Sequence, residues 1–267
     1  FYYNADCIHL VANSKAIAAT CVGRGVTAGS FCLKCGEVFQ VAEEIPALGH
    51  DYAEGYCTRC GDEDPNFVHN PFADVAESDW FYAPVLWAVA EGVTGGKTET
   101  TFAPNEGCTR AQVVTFLWAA NGKPEPKMAV NPFKDVAESD WYYKAVLWAV
   151  ENGITGGLTA TTFGPNQNSA LEQYLTFVLR ALGYRDGVDF QWDSTCRDLA
   201  VDIGLLDEGE LTAIARDGFR RDHVVAISWR ALDCRLQDGS GDTLAQRLIG
   251  QGVIHEDLLR IAADYIR

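Results

Sequence analysis

The sequence predicts a mainly α fold: three helix–loop–helix repeats closed into a pseudo-threefold helical assembly, preceded by a small cysteine-rich module. Three observations predict it. Residues 70–122 and 131–183, aligned without gaps at an offset of 61, are identical at 31 of 53 positions. Within each copy, apolar residues recur at helical spacing on either side of a glycine-rich turn. Six of the nine cysteines lie before residue 61, which sets the front of the chain apart. A repeat this short buries little by itself, so the copies are expected to pack on one another.

The front domain, 1–66, contains FCLKCGEVF and YCTRCGDED, two CxxCG knuckles with 21 residues between Cys35 and Cys57. Paired knuckles of this kind aim two thiolates each at one ion and read as tetrahedral metal sites, structural Zn2+ being the expected occupant. Disulfides and a rubredoxin-like iron site are the alternatives, and the odd cysteine total argues against complete pairing. The segment also resembles the short Cys/His repeats (ATC…CxxCG…IPALGHxY…CTxCG) of surface proteins from anaerobic gut Firmicutes, whose unit reads His, Cys, then CxxC. That resemblance implies one site of His9, Cys21, Cys32 and Cys35. It implies a second, shortened site of His50, Cys57 and Cys60, whose missing ligand His69 or Cys7 would supply. A single all-thiolate ribbon of Cys32, Cys35, Cys57 and Cys60 is the competing grouping, and sequence does not choose between them. A closed four-ligand site leaves no position for a substrate. The polar stretch from Gly61 to Asn66 suits a linker.

The first repeat, 70–124, and the second, 131–185, open NPFADVAESDWFY and NPFKDVAESDWYY. Ser78-Asp79 and Ser139-Asp140 are placed to cap a first helix. Val85, Leu86, Val89 and Val93, and their counterparts Val146, Leu147, Val150 and Ile154, form its apolar face. Gly92 and Gly153 stand where a helix end needs a left-handed residue. A Thr- and Gly-rich loop follows, and a second helix begins near Thr109, carrying Val113, Val114, Phe116, Leu117 and Ala120 inward. Trp87, Trp118, Trp148 and Trp229 sit inside helical runs and are expected to be core.

A third, diverged copy with a C-terminal cap occupies 190–267. Trp192 to Gly204 repeats the separation of Trp80 to Gly92, and Arg221 to Trp229 lines up with Arg110 to Trp118.

The pattern FxDV…DWxY…G(I/V)TGG…TFxPN…TRAQ resembles the S-layer homology repeat of bacterial surface proteins, across about residues 70–235. The resemblance implies non-covalent attachment to a secondary cell-wall polysaccharide, often one bearing a pyruvate ketal, in grooves between neighbouring repeats. It carries groove roles onto Arg110, onto Arg221 in copy three, onto Trp80 and Trp141 with Trp192 in the diverged copy, and onto the loop glycines Gly95, Gly96, Gly156 and Gly157. Lys97 is a candidate helper. Copy two has Ala170-Leu171-Glu172-Gln173 in place of the arginine motif, and copy three has Asp207-Glu208 in place of the glycines. The best-supported grouping is Arg110 with Trp80, Gly95 and Gly96, completed by a neighbouring repeat.

The chemistry is consistent with those roles. A guanidinium offers a planar fork to a carboxylate, bare glycines let main-chain N–H groups approach an anion, and indole faces pack on a pyranose. The plainer alternatives are a surface ion pair for Arg110 and simple turns for the TGG loops.

A formal net charge of −16 argues against nucleic acid as a partner, and no apolar run reaches the length of a membrane span. The start at Phe1 reads as a mature or trimmed product. No GxSxG, HExxH, P-loop or Rossmann pattern is present, and on a helix the adjacent Asp222 and His223 are expected to diverge. The expectation is therefore a non-enzymatic, extracellular anchoring module. The alternative is a structural subunit whose partners are other surface-protein subunits.

Overall fold

The computed structural model describes residues 7–256 apart from 54, 66 and 193. The chain divides into two units, Phe1–Phe67 and Val68–Arg267. Residues 1–6 and 257–267, at the outer ends of the first and last expected domains, lie outside the described residues.

The first unit is built from seven short strands and, among the described residues, no helix. β1 (Val11–Asn13), β3 (Ser30–Cys32) and β4 (Val38–Gln40) form an antiparallel sheet in the order β1-β3-β4. β2 (Gly25–Val26) pairs with β5 (Glu44–Ile45), and β6 (Tyr52–Ala53) with β7 (Tyr56–Cys57). Each CxxCG knuckle closes with a glycine N–H donating to the first cysteine's carbonyl: Gly36 to Cys32 at 2.9 Å, Gly61 to Cys57 at 2.8 Å. Both glycines have φ near +77°, which a side chain would resist.

The second unit holds α1 (Tyr82–Ala90), α2 (Arg110–Ala120), α3 (Tyr143–Glu151), α4 (Leu171–Ala181), α5 (Cys196–Asp202), α6 (Glu208–Asp217), α7 (Arg221–Ala231) and α8 (Leu244–Gly250). Copies one and two open on the same turn. Asn70 accepts from Phe72 N and donates to Val75 O, as Asn131 does with Phe133 N and Val136 O. Asp74 then accepts from the N–H groups of Phe102 and Ala103, and Asp135 from those of Phe163 and Gly164, all within 2.8 Å. One carboxylate thus fastens the start of each repeat to its second loop. Ser78-Asp79 and Ser139-Asp140 do not cap the helices. The Asp79 and Asp140 carboxylates are taken up one turn earlier, by Ala76 N and Ala137 N, and α1 and α3 start without a side-chain cap. Thr109 does cap α2, with Gln112 completing a reciprocal capping box.

Val85, Leu86, Val93, Val146, Leu147 and Ile154 are buried, with Trp87 and Trp148 among them. Trp118 and Trp229 pack partly buried on the same core. Helices α2, α4 and α7 contact one another, while α1 lies on α7, α3 on α2 and α5 on α4.

A mainly α chain in a pseudo-threefold helical assembly is not what the structure shows. Helices account for only 31% of the described residues. The front unit is strands and knuckles, and in copies one and two the segments between short helices are long loops pinned by Asp74 and Asp135. Copy three also departs from the others, because α6 replaces its glycine loop. Asp207 caps α6 by accepting from Glu210 N, and Glu210 answers through Asp207 N. The signal was in the sequence as an acidic capping box, Asp207-x-x-Glu210.

Candidate functional site

Two clefts in the second unit each draw side chains from all three copies. The first, of about 410 Å³, is lined by Thr94, Gly95, Gly96 and Lys97 of copy one and by Gln112, Thr115 and Phe116 on α2. Trp141 of copy two and Arg221 of copy three complete it. The second, of about 340 Å³, has Thr155, Gly156, Gly157 and Leu158 with Gln173, Thr176 and Phe177 on α4. Arg110 of copy one and Trp192 of copy three complete that one, with Arg180 at its edge.

Each arginine reaches its neighbour's cleft because the first turn of its helix is tied to the neighbour's loop. Arg110 N donates to Gln167 O and Ala111 N to Pro165 O; Arg221 N donates to Glu106 O and Asp222 N to Pro104 O. The helix-end N–H groups are thereby used within the protein, which leaves side-chain cations rather than the helix ends to face the clefts. Arg110 is only 3% exposed, lies 4.9 Å from the Phe163 ring and donates through Nε to Phe163 O at 2.9 Å. Arg221 lies 4.9 Å from both the Phe102 and Phe116 rings and donates through one terminal nitrogen to Thr94 Oγ1 at 3.1 Å, while its buried Nε has no partner. Burial holds both guanidiniums below their ordinary pKa; Asp135 opposes this at Arg110, and Cys108, Glu106 and Asp74 oppose it at Arg221. Among the described residues, neither arginine has a carboxylate within ion-pair distance.

The two glycines of each loop do different work. Gly96 and Gly157 have φ +83°, and a Cβ on either would lie 2.4 Å from a ring carbon of Phe72 or Phe133. They are glycines because the fold requires it. Gly95 and Gly156 have no such backbone demand and nothing within 4 Å of an added Cβ. Their bareness leaves the cleft open. Thr94 and Thr155 brace the loops by accepting from Gly96 N and Gly157 N at 3.1 Å. The hydroxyls of Thr115 and Thr176 are buried without a hydrogen-bond partner, one in each cleft.

The sequence-based grouping of Arg110 with Trp80, Gly95 and Gly96 is not what the structure brings together. Arg110 meets Gly156, Gly157 and Trp192; Arg221 meets Gly95, Gly96, Lys97 and Trp141. Lys97 is engaged by Glu106 at 2.5 Å. Trp80 stands elsewhere, 5.6 Å from the His223 ring. Beyond His223, at the junction of copies two and three, the two departures from the repeat pattern meet. Leu171 holds the arginine position there, and Leu211 and Ile214 of α6 line the same remnant of about 240 Å³, rimmed by the Glu172–Arg197 ion pair. Asp222 and His223 do approach each other, with Oδ1 and Nδ1 at 3.1 Å, both buried. Arg220 N donates to that same Nδ1.

Sequence reasoning missed Gln112, Thr115, Phe116 and their counterparts Gln173, Thr176 and Phe177. The signal was present: Gln, Thr, Phe and one Ala are the only identities between α2 and α4. Three of those four pairs line the clefts.

In the first unit, all the cysteines among the described residues are free thiols. They converge with two histidines into two groups, Cys7, His9, Cys32, Cys35 and Cys21, His50, Cys57, Cys60, each with its ligand atoms within 4.8 Å of one another. The grouping of Cys21 with His9, Cys32 and Cys35 is therefore corrected: Cys21 lies with His50, Cys57 and Cys60, and Cys7 with His9, Cys32 and Cys35. Three thiols and an imidazole suit a tetrahedral structural ion. Against the effect of burial, main-chain N–H groups of Cys35 and Lys34 hold the Cys32 thiol down at about 5, and those of Asp51, Cys60 and Arg59 do the same for Cys57. No helix among the described residues is long and apolar enough to cross a membrane.

Residues 71–114 and 132–168 match the S-layer homology domain family. The chain is 40% identical over 132 residues to a surface-layer 125 kDa protein of Lysinibacillus sphaericus (46% of this chain, 11% of that protein). It is 31% identical over 140 residues to a cell surface protein of Thermoanaerobacter kivui (51% and 18%). It is 35% identical over 114 residues to an endoglucanase of Bacillus sp. strain KSM-635 (43% and 12%). The chain spans at most 18% of the length of these relatives. Over those two segments copies one and two match the S-layer homology domain, and the similarity to surface-layer and cell surface proteins puts the chain on the outside of the cell, at the wall.

Proposed function

We propose that the second unit is a non-catalytic anchor that binds an acidic, pyruvate-bearing secondary cell-wall polysaccharide in the two open clefts. One observation carries the reading: each cleft holds a buried guanidinium that, among the described residues, has no carboxylate partner within ion-pair distance. Burying a cation unpaired is unfavourable, and an anionic ligand offsets that penalty. A sugar acid satisfies the rest of each cleft. Its carboxylate takes the free guanidinium nitrogens, a ring oxygen takes the Thr115 or Thr176 hydroxyl, and the pyranose face lies on Trp141 or Trp192. Gly95 and Gly156 let main chain come close. With two clefts on one chain, a polymer carrying many such acids binds by avidity. The remnant beside Leu171 takes no part, because it offers neither guanidinium nor bare loop.

The test is co-sedimentation with purified wall sacculi, before and after removal of the glycan's pyruvate groups. Arg110→Ala together with Arg221→Ala abolishes binding, and so does depyruvylation. Undiminished sedimentation in either case rejects the reading.

A second reading, a subunit of a surface array, draws on the similarity to a surface-layer protein. Self-assembly of purified protein without glycan would favour it.

For the first unit the reading is structural zinc. The thiol-rich donor sets support it, and the ion would contribute folding energy rather than chemistry.

A further inference from the structure

We propose that the first unit binds two zinc ions at interlocked sites, and that the pair of ions takes the place of an apolar core. The inference rests on the reading of this unit as zinc-binding and adds the number of ions, their ligands and their coupling.

The geometry suits one ion in each group. A tetrahedral zinc with Zn–S of about 2.3 Å and Zn–N of about 2.0–2.1 Å spaces its ligand atoms about 3.6–3.8 Å apart. In the first group Cys7 Sγ and Cys32 Sγ are 3.9 Å apart, and His9 Nδ1 is 3.5 Å from Cys35 Sγ. In the second, Cys21 Sγ and Cys57 Sγ are 3.7 Å apart, and His50 Nδ1 is 3.4 Å from Cys60 Sγ. The surroundings orient these ligands as metal sites require. Glu37 Oε2 lies 3.3 Å from His9 Nε2, which leaves Nδ1 for the ion. Lys34 N–H donates to Cys32 Sγ and Asp51 N–H to Cys57 Sγ. Each zinc displaces the protons of three thiols and binds one neutral imidazole, giving a site of net charge −1.

The two sites are threaded through each other along the chain. Cys21 of the second group lies between His9 and Cys32 of the first; Cys32 and Cys35 lie between Cys21 and His50. Pairing of β1 with β3 opposes Val11 to Cys32 and brings the first group together. The second is drawn in by Leu48 N to Thr20 O at 2.9 Å and Gly49 N to Cys21 O at 3.0 Å. Neither ion therefore closes a segment that could stand alone.

Little else holds this unit together. Its buried described residues are Cys21, Cys32, Cys57 and the glycines Gly25, Gly29 and Gly55. Among the described residues no Ile, Leu, Val or Phe is buried there; Ile8 is 84% exposed and Val22 78%. A segment of this size without a hydrophobic core needs another source of stability, and two ions that tie overlapping loops supply it.

The experiment is native mass spectrometry of the full chain during zinc titration, with zinc-edge X-ray absorption of the loaded protein. The expected result is two zinc per chain, each with three sulfurs and one nitrogen, and at one equivalent mostly zinc-free and two-zinc chains. Cys7→Ser and Cys21→Ser each lower the content from two to none at zinc levels that saturate the natural protein. Cys108→Ser, in the second unit, leaves two. One zinc with four sulfurs would overturn the grouping in favour of an all-thiolate site of Cys32, Cys35, Cys57 and Cys60. A stable one-zinc species in either variant would overturn the coupling. Absence of any bound zinc would overturn the underlying reading itself.

Discussion

Arg110 Nε donates to the carbonyl of Phe163 at 2.9 Å, so an arginine from the first repeat is held by the loop of the second. The same guanidinium lies against the Phe163 and Phe177 rings, and its remaining nitrogens make no hydrogen bond to a described residue. Copy two performs a natural control at the matching position. Leu171 is buried there among apolar side chains.

Arg110→Leu is therefore expected to separate stability from binding. Replacing a buried, unpaired charge by an apolar residue is neutral or stabilising, by up to about 1–4 kcal/mol. Loss of a charge-assisted contact weakens binding at that cleft by about 1.5–3 kcal/mol, roughly 10- to 100-fold. Calorimetric melting and titration with a pyruvylated wall fragment measure the two effects; a large fall in Tm would contradict the first.

The loop glycines should divide. Gly95→Ala, entering open space, is expected to change stability by no more than about 1 kcal/mol while weakening glycan binding. Gly96→Ala forces a Cβ to within 2.4 Å of Phe72 and 2.6 Å of the Thr98 carbonyl at φ +83°. It is expected to destabilise by about 1–3 kcal/mol. Denaturant unfolding of the two variants side by side checks the contrast.

Thr176→Val removes a buried hydroxyl that has no hydrogen-bond partner among the described residues. Stability should stay level or rise by about 1 kcal/mol, and affinity at the second cleft should fall. An unchanged affinity would mean that the hydroxyl meets no ligand atom.

Asp135 makes the loop of copy two sensitive to acid. Burial alone would raise its pKa, but the N–H groups of Phe163 and Gly164, with Arg110 nearby, hold it below the ordinary carboxylate value. A depressed folded-state pKa means that its contribution is complete above the unfolded value of about 3.9 and is lost as pH falls through the folded one. Asp135→Asn should lower stability at neutral pH and flatten the acid limb of a Tm-against-pH curve below about pH 4. An acid limb as steep as that of the natural protein would contradict this.

Chelation should act on one unit alone. All seven tryptophans lie beyond residue 79, so their emission reports the second unit. Treatment with a strong chelator is expected to abolish amide protection across residues 7–65 in hydrogen exchange and to leave tryptophan emission unchanged. Retained protection in the first unit would show that its fold does not depend on metal.

Much of this was legible in one dimension. The duplication, Gly92 and Gly153 at helix ends, the apolar faces of α1 and α3, the start of α2 near Thr109 and the clustering of thiols and imidazoles at the front all follow from local backbone and burial rules. Those rules act within a few residues, which is why they can be read without a fold. The caps at Ser78-Asp79 and Ser139-Asp140 failed because a turn upstream competes for the same carboxylates.

What the chain alone determined, then, is which chemistry is present: two guanidiniums, two glycine loops, a set of indoles and a front cluster of thiols and imidazoles. Only tertiary structure decided which of them meet. Arg110 serves the loop of copy two because the first turn of α2 is hydrogen-bonded to Pro165 and Gln167, and Cys21 joins His50 because Gly49 pairs with the Cys21 carbonyl. Partners separated by tens of residues are selected by main-chain hydrogen bonds and packing across repeats, and no spacing along the chain encodes that choice.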